Sequence, residues 1–204
     1  MKQNLELIIL GPSGGGKGTQ AELLAKKFGI KHISTGDLLR KEIEKKTNLG
    51  KEVEKIINAG NWVPAKITFL VLQPVLEESF KKGFILDGFP RLVEQAEILD
   101  KYLQVKNKQI DLVIHIKVSS SVIMARRETL LRNGKTFYPG QKRSDESAEA
   151  VKNRLDAYQK TIRPILSFYR KSGLLVEIDG ERPVKVIFKD ILRIIKYRQK
   201  YSDK

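Results

Sequence analysis

The chain has 204 residues, 41% hydrophobic and 31% charged, with 39 Lys and Arg against 24 Asp and Glu for a formal net charge of +15. That length can bury most apolar side chains around one core, so a single globular domain over residues 1–204 is expected, with small inserted lobes. Cysteine is absent and the two histidines, His32 and His115, are far apart, which excludes a disulfide framework and a cysteine zinc site. No apolar run approaches the roughly 20 residues that cross a bilayer, and no small-residue cleavage site follows the first apolar stretch. A soluble, unprocessed protein in a reducing cytoplasm is expected.

In chain order, Leu5–Leu10 is a short apolar run that ends in Gly-Pro-Ser-Gly-Gly-Gly-Lys-Gly-Thr (Gly11–Thr19). The segment AELLAKKF follows with leucines at helical spacing and stops at Gly29, so the beginning reads as strand, glycine loop, helix. Further β-type runs recur at His32–Ile33, Phe84–Leu86, Leu112–Val118 and Leu174–Ile178, separated by segments of helical periodicity. Five such strands with helices between them predict an α/β fold, a five-stranded parallel sheet with helices on both faces. Ligands in such sheets sit at the carboxyl ends of the strands.

Two stretches stand outside that alternation. From Thr35 to Val63 two short helical patterns have no strand between them, which predicts a small lobe over residues 34–63. RNGKTFYPGQKR (Arg132–Arg143) is basic and poor in apolar residues, which predicts an exposed loop. Pro74 and Pro164 fall in helical patterns and are expected to kink or split those helices.

The glycine loop reads literally as G-x-x-x-x-G-K-G-T, a variant of the phosphate-binding loop with Gly18 between the lysine and the threonine. Residues without side chains let successive backbone N–H groups converge on phosphate oxygens, and the following helix adds its positive end. Lys17 would then reach the β- and γ-phosphates. In FILDGFPR (Phe84–Arg91) an apolar strand delivers Asp87 to a turn, where a carboxylate can hold Mg²⁺ through water. An Asp before Gly more often serves a turn, and only the nearby phosphate loop favours the metal. Arg40, Arg91, Arg126, Arg132, Arg143 and Arg154 fall outside the core pattern. Each alone reads as a surface ion pair, but together they suit a crowd of phosphates.

ISTGDLLR (Ile33–Arg40), FILDGFPRLVEQA (Phe84–Ala96), KRSDES (Lys142–Ser147) and the phosphate loop resemble, in order and spacing, the adenylate kinases and related nucleoside-monophosphate kinases. The resemblance runs from about Leu5 to about Ile195. It implies a P-loop three-layer fold with a monophosphate-binding lobe (34–63) and a lid (131–146). It further implies reversible transfer of the terminal phosphoryl group of Mg·ATP to AMP, giving two ADP.

Carried over by position, Gly14, Gly15, Gly16, Lys17, Gly18 and Thr19 would cradle the ATP phosphates, with Arg126, Arg132 and Arg182 as further ATP contacts. Thr35, Arg40, the backbone of Asn61, Trp62 and Val63, then Gly88, Phe89, Pro90, Arg91 and Gln95, would hold AMP. Arg143 and Arg154 would clamp the reacting phosphates. The catalytic set would be Lys17, Arg91, Arg126, Arg143 and Arg154, with Asp87 placing Mg²⁺ through water.

Near the lid the chain departs from the family pattern, because Leu130 stands four residues after Arg126 where many relatives have a second arginine. Either Arg126 or Arg132 would cover ATP. The acidic pair after the lid arginine is Asp145-Glu146, and the lid is short and free of cysteine, so no zinc is expected. The attacking phosphate oxygen of AMP, with a second pKa of roughly 6, needs no general base. A monomer working on ATP and AMP is expected. The alternatives are a UMP/CMP kinase of the same fold and a basic P-loop protein that binds nucleic acid. The +15 charge alone supports the latter, and no aromatic-interleaved basic stretch accompanies it; neither nucleic acid nor membrane is expected as a partner.

Overall fold

Alternate residues of the first apolar run face opposite ways, and both ways are buried. Leu7 and Ile9 pack into one apolar cluster while Ile8 and Leu10 pack into another, the pattern of a strand covered on both faces. The computed structural model describes residues 4–59, 61–136 and 148–201. Its strands are β1 (Glu6–Leu10), β2 (Lys31–Ser34), β3 (Phe84–Asp87), β4 (Leu112–Lys117) and β5 (Leu175–Asp179). They form one five-stranded sheet in the order β2-β3-β1-β4-β5, and every pairing is parallel. The predicted α/β architecture and all five predicted strands are present, with ends differing by a residue or two.

On one face α1 (Lys17–Phe28) and α8 (Val184–Tyr201) cover Leu7, Ile9, Ile85, Ile114 and Ile116. On the other, α4 (Ala65–Ser79), α5 (Val93–Val105) and α7 (Ala148–Lys171) cover Ile8, Leu10, Phe84, Leu86 and Val113. A third cluster joins α6 (Ser120–Arg132) to α7 through Ile123, Val151 and Leu155. Parallel β-α-β crossovers place all five carboxyl ends on one edge of the sheet, and the loops that follow share a single opening.

Between β2 and β3, α2 (Thr35–Glu44) and α3 (Asn48–Asn58) pack on one another around Leu39, Val53 and Val63. Ser34 caps α2 by accepting from the Asp37 N–H, and Thr47 caps α3 by accepting from the Gly50 N–H, each satisfying an otherwise orphaned donor.

Pro74 and Pro164, expected to kink or split their helices, both lie inside helices that continue past them, α4 and α7. Each proline removes one N–H donor and frees the carbonyl four residues earlier. Those carbonyls belong to Leu70, 60% exposed, and to the exposed Lys160, so water can satisfy them.

Candidate active site

A cleft of about 1220 Å³ opens at the carboxyl ends of the strands, bounded by the glycine loop, the α2–α3 pair, the start of α6 and the β5–α8 turn. Gly14 and Gly16 adopt φ of 75° and 89°, left-handed values that glycine takes without strain. Gly11 allows the close approach of the neighbouring strand, since a Cβ there would lie 2.7 Å from the Ile116 carbonyl oxygen. Gly16 is the N-cap of α1 and no side chain caps that end, which leaves first-turn N–H groups to face an anion. Gly14, Gly15, Gly16, Lys17, Gly18 and Thr19 all line the cleft.

Lys17 is buried, 6% exposed, and its Nζ donates to the Pro12 carbonyl at 2.8 Å. Burial pushes its pKa down to about 7; the charges of Arg91 and, more weakly, Arg154 push the same way, against the pull of Asp87. The cradle holds more positive charge than it can comfortably solvate, a state that a polyphosphate relieves.

Asp87 ends β3 facing the start of α1, where a Cβ on Gly18 would lie 3.4 Å from its Oδ2. Burial alone would raise the Asp87 pKa. The contact with His32, whose Nε2 is 3.4 Å from Oδ2, and the charge of Lys17 more than offset this and hold it below the ordinary carboxylate value. Among the described residues no cluster of three His, Cys, Asp or Glu side chains forms a metal cage. A carboxylate whose pKa is held low, beside the glycine loop, fits a magnesium ion that would keep most of its waters.

At the start of α2, Thr35 is 3% exposed and its hydroxyl donates to the Asp87 carbonyl at 3.1 Å. Gly88 has φ of 85°, and a Cβ there would meet the Thr35 hydroxyl at 2.9 Å. Arg40 pairs with Asp37 one turn earlier on α2. Arg91 donates from Nε to the Gly88 carbonyl at 3.0 Å and from Nη1 to the Gly11 carbonyl at 3.4 Å. Gln95, 1% exposed, accepts from the Arg91 N–H at 2.6 Å and donates to the Val63 carbonyl at 3.1 Å.

Sequence-predicted residues therefore converge on one cleft: the glycine loop, Thr35, Arg40, Asn61, Trp62, Val63, Asp87, Gly88, Arg91, Gln95, Arg126, Arg154 and Arg182 all line it. Others lie apart. The Phe89 side chain is fully buried in the core under the sheet, which leaves only its backbone to meet a ligand. Pro90 lines a narrow gap behind the cleft with Lys17, Arg91 and Tyr158. Arg126 stands on the cleft wall and donates to the Gly180 carbonyl at 2.9 Å, whereas Arg132, at the exposed end of α6, is off that wall. Arg182 pairs with Asp190 at 2.7 Å. Arg143, Asp145 and Glu146 lie outside the described residues.

Some contributors escaped the sequence reading. Gln20 donates to the Val184 carbonyl at 3.0 Å and so ties the start of α1 to the start of α8 at the cleft wall. The Trp62 ring, beyond its backbone, lies against Arg91 with Cζ 4.8 Å from the ring centroid. Nothing in the spacing of these residues signals either contact.

Residues 9–174 match the family model described as adenylate kinase. The chain is 39% identical to an adenylate kinase of Staphylococcus aureus, with 94% of this chain and 99% of that one covered. It is 37% identical to one of Clostridium beijerinckii and 35% identical to one of Methanothrix thermoacetophila, each match covering 94% of this chain and 98% of the relative.

Proposed function

The chain belongs to the adenylate kinase family and is a nucleoside-monophosphate kinase, and from that premise we propose how its cleft moves the terminal phosphoryl group of ATP to AMP. The observation that carries the reading is the convergence of Lys17, Arg91, Arg126 and Arg154 with a low-pKa Asp87 on one cleft.

ATP lies with its phosphates on the backbone of Gly14–Thr19 and its base toward the Arg126, Gly180 and Arg182 wall. AMP lies against Thr35, Arg40, the Asn61–Val63 backbone, Gly88, Arg91 and Gln95. Arg154, with Arg143 beyond the described residues, clamps the groups that react. Lys17 follows the transferring phosphoryl group; a phosphate beside it restores the charge that burial disfavours. Asp87 would hold Mg²⁺ through water, and the ion would supply positive charge against the phosphates of ATP.

The attacking oxygen of AMP is already ionised near neutrality, so no side chain has to remove a proton. What the protein supplies is alignment and positive charge placed where it builds up in the transition state. The α2–α3 pair is assigned as the monophosphate-binding lobe and residues 131–146, of which 137–146 lie outside the described residues, as the lid, the part that would keep water from intercepting the phosphoryl group. Lid closure in adenylate kinases is itself a standard instance of such gating. A monomer in a reducing cytoplasm completes the reading, and the absence of cysteine suits that compartment. No described helix is long and apolar enough to cross a membrane.

A coupled assay of ADP formation against AMP, UMP, CMP and GMP, with Mg·ATP as donor, tests this reading. AMP is expected to be the preferred acceptor. UMP or CMP turned over as efficiently as AMP would replace it with a UMP/CMP kinase.

A further inference from the structure

Four residues of the acceptor half form a closed circuit. The Trp62 ring carries the Arg91 guanidinium at 4.8 Å, and Arg91 offers its backbone N–H to Gln95. Gln95 returns through its amide to the carbonyl of Val63, the residue after Trp62. The Trp62 backbone is fixed on both sides: the Asn61 N–H donates to the Ile56 carbonyl at 3.1 Å, and the Val63 carbonyl also accepts from the Thr68 hydroxyl at 3.1 Å. The ring is thus a platform held from the lobe, and the guanidinium rests on it.

The choice of an indole there carries a cost. Trp62 Nε1 is buried and has no hydrogen-bond partner among the described residues. An aliphatic side chain would fill the same apolar space without burying an N–H group. What the indole adds, and an aliphatic residue cannot, is the electron-rich face against a cation. Two backbone carbonyls, of Gly88 and Gly11, hold Arg91 from the other side, so the three contacts together leave the guanidinium little freedom before any ligand arrives.

We propose that Trp62 is a positioning residue for the acceptor: its ring stations Arg91 so that the guanidinium meets the phosphate of the incoming monophosphate already ordered. The inference rests on the reading of Arg91 as an acceptor-phosphate ligand. Arg91 so held loses less rotamer freedom when the monophosphate binds, and that saving appears in acceptor affinity. The donor site, built on the glycine loop, is untouched.

Steady-state kinetics of Trp62→Leu and Trp62→Phe, varying AMP and ATP separately, test the proposal. Trp62→Leu is expected to raise the KM for AMP by about three- to thirtyfold, the scale of a partly desolvated cation–π contact, with the KM for ATP within about twofold. Trp62→Phe, which keeps a π face, should recover much of the loss. In an Arg91→Ala background, Trp62→Leu should add nothing further. Because Trp62 is the sole tryptophan, AMP titration of the wild type should change its emission with the midpoint of AMP binding, whether or not the variants fold. Equal rises in both KM values, equal loss in the Leu and Phe variants, or emission indifferent to AMP would overturn the proposal. If Arg91→Ala leaves AMP kinetics normal, the assignment of Arg91 fails instead.

Discussion

The Tyr158 hydroxyl lies 2.7 Å from Nε2 of His115, while Glu177 Oε1 lies 3.0 Å from Nδ1 of the same ring. An ionised Glu177 can only accept, so Nδ1 carries the hydrogen, Nε2 accepts, and Tyr158 donates. The contact joins α7, which carries Arg154 one turn before Tyr158, to the central part of the sheet. It satisfies the imidazole in its neutral form; a second ring proton would turn the Tyr158 hydrogen away.

That arrangement sets a pH dependence. Burial lowers the His115 pKa below its ordinary 6.5; the bond and charge of Glu177 oppose the shift, and Lys117 and Arg170 add to it. On its own element the facing charge is Lys117, on β5 it is Glu177, and on α7 they are Tyr158 and Arg170. A group whose folded pKa is depressed favours its deprotonated form. Its contribution is therefore complete above pH 6.5 and is lost as pH falls through the folded value. Each tenfold difference in proton affinity is worth about 1.4 kcal/mol, or roughly 3–6 °C in a chain of this size. The nucleotide-free melting temperature is expected to fall between pH 7.5 and 5.5, and to fall less in His115→Gln. Parallel curves for the two proteins would refute the assignment.

Lys17→Met should lower turnover by about 10³- to 10⁵-fold, the scale set by a single transition-state cation. The fold should persist, since methionine fills the same channel and removes a buried charge that already lies close to Arg91 and Arg154. Turnover and melting temperature measured together decide this. A folded variant of near-normal rate would remove Lys17 from the chemistry.

Arg126 and Arg132 of α6 should separate in their effects. Arg126 stands on the donor wall and is oriented by the Gly180 carbonyl, so Arg126→Ala is expected to raise the KM for ATP and cut turnover by at least about tenfold, the loss of one charged hydrogen-bonding group. Arg132→Ala should stay within about threefold of wild type in both constants, as expected of an exposed charge away from the cleft. A larger effect at Arg132 would mean that Arg132 contacts ATP in the bound enzyme.

Removal of Mg²⁺ by a general chelator should abolish transfer, and a zinc-selective chelator should leave both rate and melting temperature unchanged. The chain has no cysteine, and Asp87 offers the hard oxygen ligand that magnesium prefers. A melting temperature lowered by the zinc chelator would point to a structural zinc site.

The sheet was legible because its strands alternate apolar side chains that both faces must bury: Leu7 and Ile9 one way, Ile8 and Leu10 the other. The glycine loop was legible because the left-handed conformations of Gly14 and Gly16 leave glycine with few substitutes. Illegible were contacts between residues brought together only by the tertiary fold, such as Trp62 with Arg91 and Tyr158 with His115. Pro74 and Pro164 left two outcomes open for a related reason: whether a proline ends a helix depends on whether water can reach the carbonyl it frees, which is a matter of packing. Gln95 was legible as a residue and not as an arrangement. The resemblance put Gln95 among the residues that would hold AMP, and the fold adds that its amide is shared between Arg91 and Val63.

That arrangement sharpens what removal of Gln95 should do. Its oxygen accepts from the Arg91 N–H, and its nitrogen donates to the Val63 carbonyl and, at 3.4 Å, to the Thr68 hydroxyl. The amide thus sets the distance between the strand-end turn that carries Arg91 and the segment that walls the acceptor base. Gln95→Ala leaves the part-buried Arg91 N–H without its acceptor, at about 1–3 kcal/mol, and leaves the Val63 carbonyl with only the Thr68 hydroxyl as a side-chain donor among the described residues. The acceptor pocket should lose its shape before the phosphate machinery does. Preference for AMP over UMP and CMP is therefore expected to fall by roughly ten- to a hundredfold, and the maximal rate with AMP to fall less. Gln95→Glu separates the two bonds, because a carboxylate still accepts from the Arg91 N–H but cannot donate to Val63. If selectivity depends on the Val63 side, Gln95→Glu should resemble Gln95→Ala in its AMP:UMP ratio. Wild-type selectivity in both variants would show that the choice of base is made elsewhere in the cleft.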